Sequence, residues 1–167
     1  EYTEMRAEHS VFLSVYESFA GAKTVLRLKG EVQWIPQGQS EVPVYERFYL
    51  GGQSFRGFDF RTISPKGVRA DNGEVGDPVG GIFSAFAGAE IQQPILSEDL
   101  ALALFVDSGT VEREFAVNTW RVSAGFGIRL YVQQLSPAPL AFDFGFPIVK
   151  EDTDENRLFT FSVDLPL

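Results

Sequence analysis

The sequence predicts an all-β fold of about seven long antiparallel strands, arranged as part of a transmembrane barrel. Three observations predict it. Apolar and polar residues alternate with period two along most of the chain, as they do when successive side chains face opposite sides of a sheet. Several alternating runs are about 10 residues long, nearer a membrane-crossing strand than the usual soluble strand of about 5–6. Short connections also alternate with longer ones. Phe and Gly each occur 16 times, a pairing that suits strands, since Gly is costly and Phe mediocre inside a helix.

In chain order, residues 5–17 are a noisy member of the set. Residues 24–34 set Thr24, Leu26, Leu28, Gly30, Val32 and Trp34 against Val25, Arg27, Lys29, Glu31 and Gln33. Residues 37–80 are far longer than an ordinary hairpin loop, which marks function rather than mere connection. Residues 82–93 are again noisy, and Leu102, Leu104 and Val106 then oppose Ala103, Phe105 and Asp107. Residues 121–132 alternate cleanly, with Arg121, Ser123, Gly125, Gly127 and Arg129 facing away from Val122, Ala124, Phe126, Ile128, Leu130 and Val132. Leu140, Phe142, Phe144 and Phe146 oppose Ala141, Asp143 and Gly145, and the last run sets Phe159, Phe161, Val163 and Leu165 against Thr160, Ser162 and Asp164. Residues 92–98 and 133–139 read as short turns with Pro, and 111–119 and 150–157 as longer polar loops.

A soluble antiparallel sandwich also has one apolar strand face, and periodicity alone slightly favours it because such proteins are commoner. Two details favour the membrane barrel: charges interleave with unbroken apolar faces over long strands, and the opposite face carries Gly and Arg together. A wet lumen accounts for that combination.

Composition excludes several classes. The 167-residue chain is one domain's length. It has no Cys and one His, His9, so no disulfide framework, thiolate metal site or His-rich metal site is expected. No cofactor, metal or catalytic residue is expected. The net charge of −9 argues against nucleic acid as a partner. No run approaches the roughly 18 apolar residues of a membrane helix, which leaves a strand-built crossing open. Glu1-Tyr2-Thr3-Glu4 begins no signal peptide, as expected if one has been removed or if the chain is a piece of a longer one.

Residues 42–58, Val-Pro-Val-Tyr-Glu-Arg-Phe-Tyr-Leu-Gly-Gly-Gln-Ser-Phe-Arg-Gly-Phe, carry a resemblance. With Thr62-Ile63-Ser64-Pro65-Lys66 they resemble the long sixth extracellular loop of the BamA-like assembly-factor family, part of the bacterial surface-antigen superfamily. Val79-Gly80-Gly81, Glu90 with Pro94, and Phe105 to Val111 continue the match in order. So do Ser123-Ala124-Gly125-Phe126-Gly127, Leu135-Ser136-Pro137 and Phe142 to Pro147, whereas residues 1–38 match only as strands.

The resemblance implies that residues 1–167 are the C-terminal part of one barrel of about 16 strands, an even number as in bacterial barrels. The loop of about residues 37–80 would insert into the lumen, and the N-terminal strands and the periplasmic POTRA domains are not encoded in these residues. It implies an outer-membrane protein of a Gram-negative-type bacterium that folds other barrels into the membrane and is not an enzyme. Its partners would be unfolded outer-membrane clients, lipid, its own N-terminal barrel half and POTRA domains, and accessory lipoproteins. A polypeptide-secreting transporter of the same superfamily is the alternative, and a soluble ligand- or protein-binding β-domain the third reading.

The loop's chemistry is readable beside the resemblance. Gly51, Gly52 and Gly57 permit backbone conformations and approaches that a Cβ blocks. Phe55, Arg56, Gly57 and Phe58 form the expected lumen-lock motif, in which Phe55 replaces the family's usual Val. Arg56 has a planar fork of donors suited to a carboxylate. Its expected partners, from the family's pairing, are Glu90 and Asp107, which lie on the faces assigned to the lumen; a solvated loop arginine is the plain alternative. Phe159, Phe161, Val163, Leu165 and Leu167 match a C-terminal assembly signal, although the family's terminal aromatic is Leu167 here and Pro166 interrupts the edge.

Other features read as structural. Asp99 with Asp107, and Glu112 with Glu114, are taken as solvated charge rather than acid/base pairs. The acidic run 151–156 lacks the Gly and spacing of a Ca²⁺ loop, and the glycines of 50–57 have no P-loop Lys. Trp34 and Trp120 fit an interface girdle near strand ends.

Overall fold

Each alternating run is a strand, and together the runs make one antiparallel sheet. The computed structural model describes residues 2–17, 22–68, 71, 73, 75–97, 99–132 and 139–163. In chain order the strands are β1 (Met5–Glu17), β2 (Lys23–Trp34), the short β3 (Gly57–Phe58), β4 (Lys66–Val68) and β5 (Val75–Pro78), then β6 (Phe83–Ser97), β7 (Leu100–Glu112), β8 (Arg121–Leu130), β9 (Leu140–Val149), β10 (Asn156–Arg157) and β11 (Phe159–Val163). Seven of them pair side by side in the order β1-β2-β6-β7-β8-β9-β11. The other four lie in the loops, as β4 with β5 and β10 with β3.

The bounds differ most at the expected turn 92–98. There β6 runs on through Pro94 to Ser97. The register shifts between Pro94 and Ser97, and such an irregularity accommodates a residue without an N–H. The expected turn at 133–138, with Leu135-Ser136-Pro137, lies outside the described residues. So do Asp164, Leu165, Pro166 and Leu167.

Burial is inverted relative to a soluble domain. Along β8, Arg121, Ser123, Gly127 and Arg129 are buried while Phe126 and Ile128 are exposed. Along β7, Asp107 is 2% exposed and Leu104 61%. Phe144, Phe146, Phe159 and Phe161 extend the apolar outer wall. The polar face is therefore the inside, as in a membrane barrel, and the outer wall requires lipid to cover it. No helix among the described residues is long and apolar enough to cross a membrane, so strands do the crossing.

The conventional hydrophobic core comes mostly from the segment between β2 and β6. Ile35, Val42, Phe48, Leu50, Phe55, Phe58 and Ile63 pack with Ile82 and Val111 at the strand ends. Among the described residues, β1 and β11 each pair on one side only, so the sheet is an open wall.

This wall predicts an asymmetry. Leu104→Arg, on the lipid face near mid-strand, should destabilise the lipid-embedded full-length barrel by about 2–4 kcal/mol, against about 0–1 for Leu130→Arg at the strand end. Denaturant titration in lipid vesicles measures both; equal costs would contradict the assigned lipid face.

Candidate functional site: a loop held inside the sheet by buried charge

The long loop is fastened at its base before it enters the lumen. Arg47 donates to three backbone carbonyls, Nε to Val42 at 2.9 Å, Nη1 to Val79 at 3.0 Å and Nη2 to Gln39 at 2.8 Å. Gln39 Nε2 donates to the Gly80 carbonyl at 2.9 Å. Single bridges join Phe48 with Gly81 and Leu50 with Ile63. These bonds satisfy loop backbone and hold both ends of the loop together.

Beyond Leu50 the chain turns back on itself. Gly51 has φ +128°, and a Cβ there would stand 2.0 Å from the Asp59 carbonyl oxygen, so only glycine fits. The Gly52 N–H donates to the Phe58 carbonyl at 2.8 Å, closing a tight hairpin around residues 53–57. Phe55 is fully buried, edge-on to Phe58 at 5.1 Å and to Phe86 of β6 at 5.7 Å between ring centroids. The Phe at this position thus fills the space between loop and wall.

The wall makes room for the tip. Glu90 pairs in register with Phe105, Phe105 with Gly125, and Gly125 with Gly145, one row across β6 to β9. Gly57, at φ +92°, lies directly on Gly145, where an added Cβ would come within 2.5 Å of the Gly57 nitrogen. Ser123 Oγ donates to the Arg56 carbonyl at 2.6 Å.

These contacts aim Arg56 at Glu90 of this row and at Asp107 and Asp143 on the strand positions beside it. Its Nε and Nη2 donate to Asp107 Oδ2 and Oδ1, both at 2.8 Å, a bidentate pair. Its backbone N–H also reaches Asp107 Oδ2, at 3.2 Å. Arg56 Nη1 donates to Glu90 Oε2 and lies 3.8 Å from Asp143 Oδ2. The guanidinium sits 3.5 Å over the Phe105 ring, a cation–π contact strengthened by exclusion of water. Arg129, 1% exposed, completes the cluster by donating to Glu90 and to Asp143, each at 2.8 Å. Arg56 thus lies between the two carboxylates expected for it. Arg129, Asp143, Ser123 and Phe105 are participants that sequence reasoning placed on the lumen face without assigning them a part.

A second buried pair lies at the loop rim. Arg121 Nε donates to Asp154 Oδ2 at 2.9 Å, and Asp154 belongs to the acidic run 151–156. That run docks on the long loop. Asp59 N–H donates to the Glu155 carbonyl at 2.9 Å, Glu155 N–H to Thr62 Oγ1 at 2.8 Å, and β10 pairs with β3. Glu112, expected to be solvated, is 6% exposed; its Oε1 accepts from Thr110 Oγ1, the Asn118 N–H and both donors of Thr119, shaping the loop 113–120. Burial pushes the Lys66 ammonium below its ordinary pKa, against the pull of Asp154 and Glu155. Among the described residues, no group of three or more His, Asp or Glu is placed to hold a metal ion. Gly51 and Gly52 form the turn, and Phe159, Phe161 and Val163 face outward on β11. Trp34 packs against Phe115 with the rings tilted and their centroids 5.0 Å apart, and Trp120 is exposed.

Residues 1–164 match the family described as the Omp85 superfamily domain. The chain belongs to the Omp85 superfamily. Two curated relatives named outer membrane protein assembly factor BamA are similar to this Omp85 chain. The one from Nitratidesulfovibrio vulgaris is 37% identical over 127 residues, 74% of this chain and 15% of that protein. The one from Neorickettsia risticii is 31% identical over 127 residues, 70% of this chain and 16% of that protein. The crystal structure of BamA from Haemophilus ducreyi lacking POTRA domains 1–3 superposes with a TM-score of 0.79 at 25% identity, over 96% of this chain and 34% of that one. The Omp85 chain therefore spans a small part of its relatives, corresponds to barrel wall, and belongs in the outer membrane of a Gram-negative bacterium.

Two substitutions test the site in this Omp85 domain. Arg56→Ala leaves Asp107 and Glu90 short of a partner and should cost about 3–5 kcal/mol, the usual penalty for breaking a buried pair. Arg56→Lys should recover only part of this, because one ammonium cannot reproduce the bidentate fork. Thermal unfolding of the full-length protein in lipid gives the stability, and protease sensitivity of residues 50–60 gives the loop's release. Equal stability of all three proteins would show the cluster does not hold the loop.

Proposed function

We propose that this Omp85 chain is the C-terminal part of a barrel that folds and inserts other β-barrel proteins into the outer membrane. The observation that carries the reading is Arg56. One loop side chain bonds carboxylates on β6 and β7 and, through Arg129, is tied to β8 and β9. Such a fastening fixes the shape of the wall from within. The assembly-factor names of both curated relatives support the activity.

The work is non-covalent, and the chain is not an enzyme. An unfolded client carries backbone N–H and C=O groups that lipid cannot satisfy. A sheet edge satisfies them by strand addition, and β11 is such an edge among the described residues. The rest of the machine comprises the N-terminal barrel strands, the POTRA domains that receive clients and accessory lipoproteins. Residues 37–80 serve as the internal loop, with Phe55, Arg56, Gly57 and Phe58 as its lock. Phe159, Phe161, Val163, Leu165 and Leu167 act as the signal by which this barrel is itself assembled.

Depletion of the full-length protein tests the reading. Other outer-membrane barrels should fall in abundance while inner-membrane proteins hold steady, and the Arg56→Ala protein should restore them less well than wild type at equal expression. Unchanged barrels on depletion, together with a large single-channel conductance and loss of one secreted polypeptide, would replace assembly with secretion.

A further inference from the structure

Gln53 makes a bond that neither the charge cluster nor the strand ladder needs. It lies at the tip of the loop hairpin, and its Nε2 donates to the backbone carbonyl of Phe161 on β11, at 3.1 Å. The direction of that carbonyl follows from the register. Gly145 N–H donates to the Leu158 carbonyl, and β11 continues the same pairing with Phe159↔Phe144, Thr160↔Asp143 and Phe161↔Phe142. Hydrogen-bonded and non-bonded pairs alternate along an antiparallel ladder. Thr160 and Ser162 therefore bond β9, while the backbone groups of Phe159, Phe161 and Val163 point to the side where β11 has no strand partner among the described residues. Gln53 meets one of those outward carbonyls.

We infer that Gln53 is an edge cap, a side-chain amide that occupies the side of β11 without a strand partner among the described residues and couples the locked loop to it. The coupling runs along a short path. Two residues, Ser54 and Phe55, separate Gln53 from Arg56, whose position is set by Asp107 and Glu90. The same hairpin is braced below by β3 against β10, which leads through Leu158 into β11. A strand that pairs with β11 at Phe161 must displace the amide, so the cap weighs against unselective pairing at an edge that otherwise invites it.

The inference rests on the internal-loop reading above but not on client folding, and the test separates the two. Hydrogen–deuterium exchange of the full-length protein in lipid nanodiscs reads local opening of β11 directly. Gln53→Ala removes the donor, and Gln53→Glu keeps the size while replacing the donor with an acceptor. Both should speed exchange of the Thr160 and Ser162 amides about two- to tenfold, the effect of one net hydrogen bond, and leave β7 and β8 unchanged. Unchanged exchange in both variants overturns the cap. So does faster exchange in the Ala variant alone, which signals lost packing, or faster exchange throughout the sheet. Client insertion by the wild-type protein is scored separately, and its absence would sink the assembly reading while leaving the exchange result intact.

Discussion

A guanidinium taken out of water leaves five N–H donors to be satisfied, and Arg56 meets this demand with Asp107 on β7 and Glu90 on β6. The carboxylates face the same demand from the other side, since neither tolerates burial without a cation. Each charge is thus held by the others. Arg56 and Arg129 face Glu90, Asp107 and Asp143, and Arg27, Lys29 and Glu31 line the same cavity, with Lys29 paired to Glu31 and Glu8. Phe105 beneath Arg56 and Gly125 beside Phe105 exist in this arrangement to let a flat cation lie close to the wall. Loop position, strand register and the placement of small residues all follow from that one requirement.

The fold around it reverses the usual division of labour. In a soluble domain the apolar residues hold the sheet together and the polar ones meet water. Here the apolar face of each long strand is exposed on the outside, and inward cohesion comes from ion pairs, glycine contacts and a loop that supplies the hydrophobic core. Phe55 and Phe58 anchor the loop by burial, and Arg56 between them in sequence orients it. Burial is non-directional and a bidentate pair is not, so the two kinds of contact supply affinity and register respectively.

How much of this is legible in the sequence depends on whether a feature is local. Period two places Arg121, Ser123, Gly125, Gly127 and Arg129 on one face, and the structure buries four of these and half-buries Gly125. Arg56 with Glu90 and Asp107 is legible from a motif resemblance combined with strand faces. Arg129 and Asp143 are harder, because Arg129 pairs in register with Ala141 and reaches diagonally to Asp143. One sequence does not set the register between neighbouring strands, so a diagonal partner is invisible until the sheet is built. Glu112 and Asp154 fail for another reason. Both look like loop charge, and loops carry no period that would mark one of their side chains as buried. Pro94 misleads similarly, since a bulge that accommodates it leaves no signature of its own.

The contact between Gly57 and Gly145 has a consequence for how such a protein can change over time. Each glycine fills the place where the other's side chain would be, so the loop tip and the wall are cut to one shared outline. A loop borrowed from a relative with a bulkier residue at the first position would collide with this wall, and a wall borrowed the same way would expel this loop. The two segments must therefore match in shape although nearly 90 positions separate them along the chain. Recombination that cuts between them should be tolerated only when both partners carry the same vacancy.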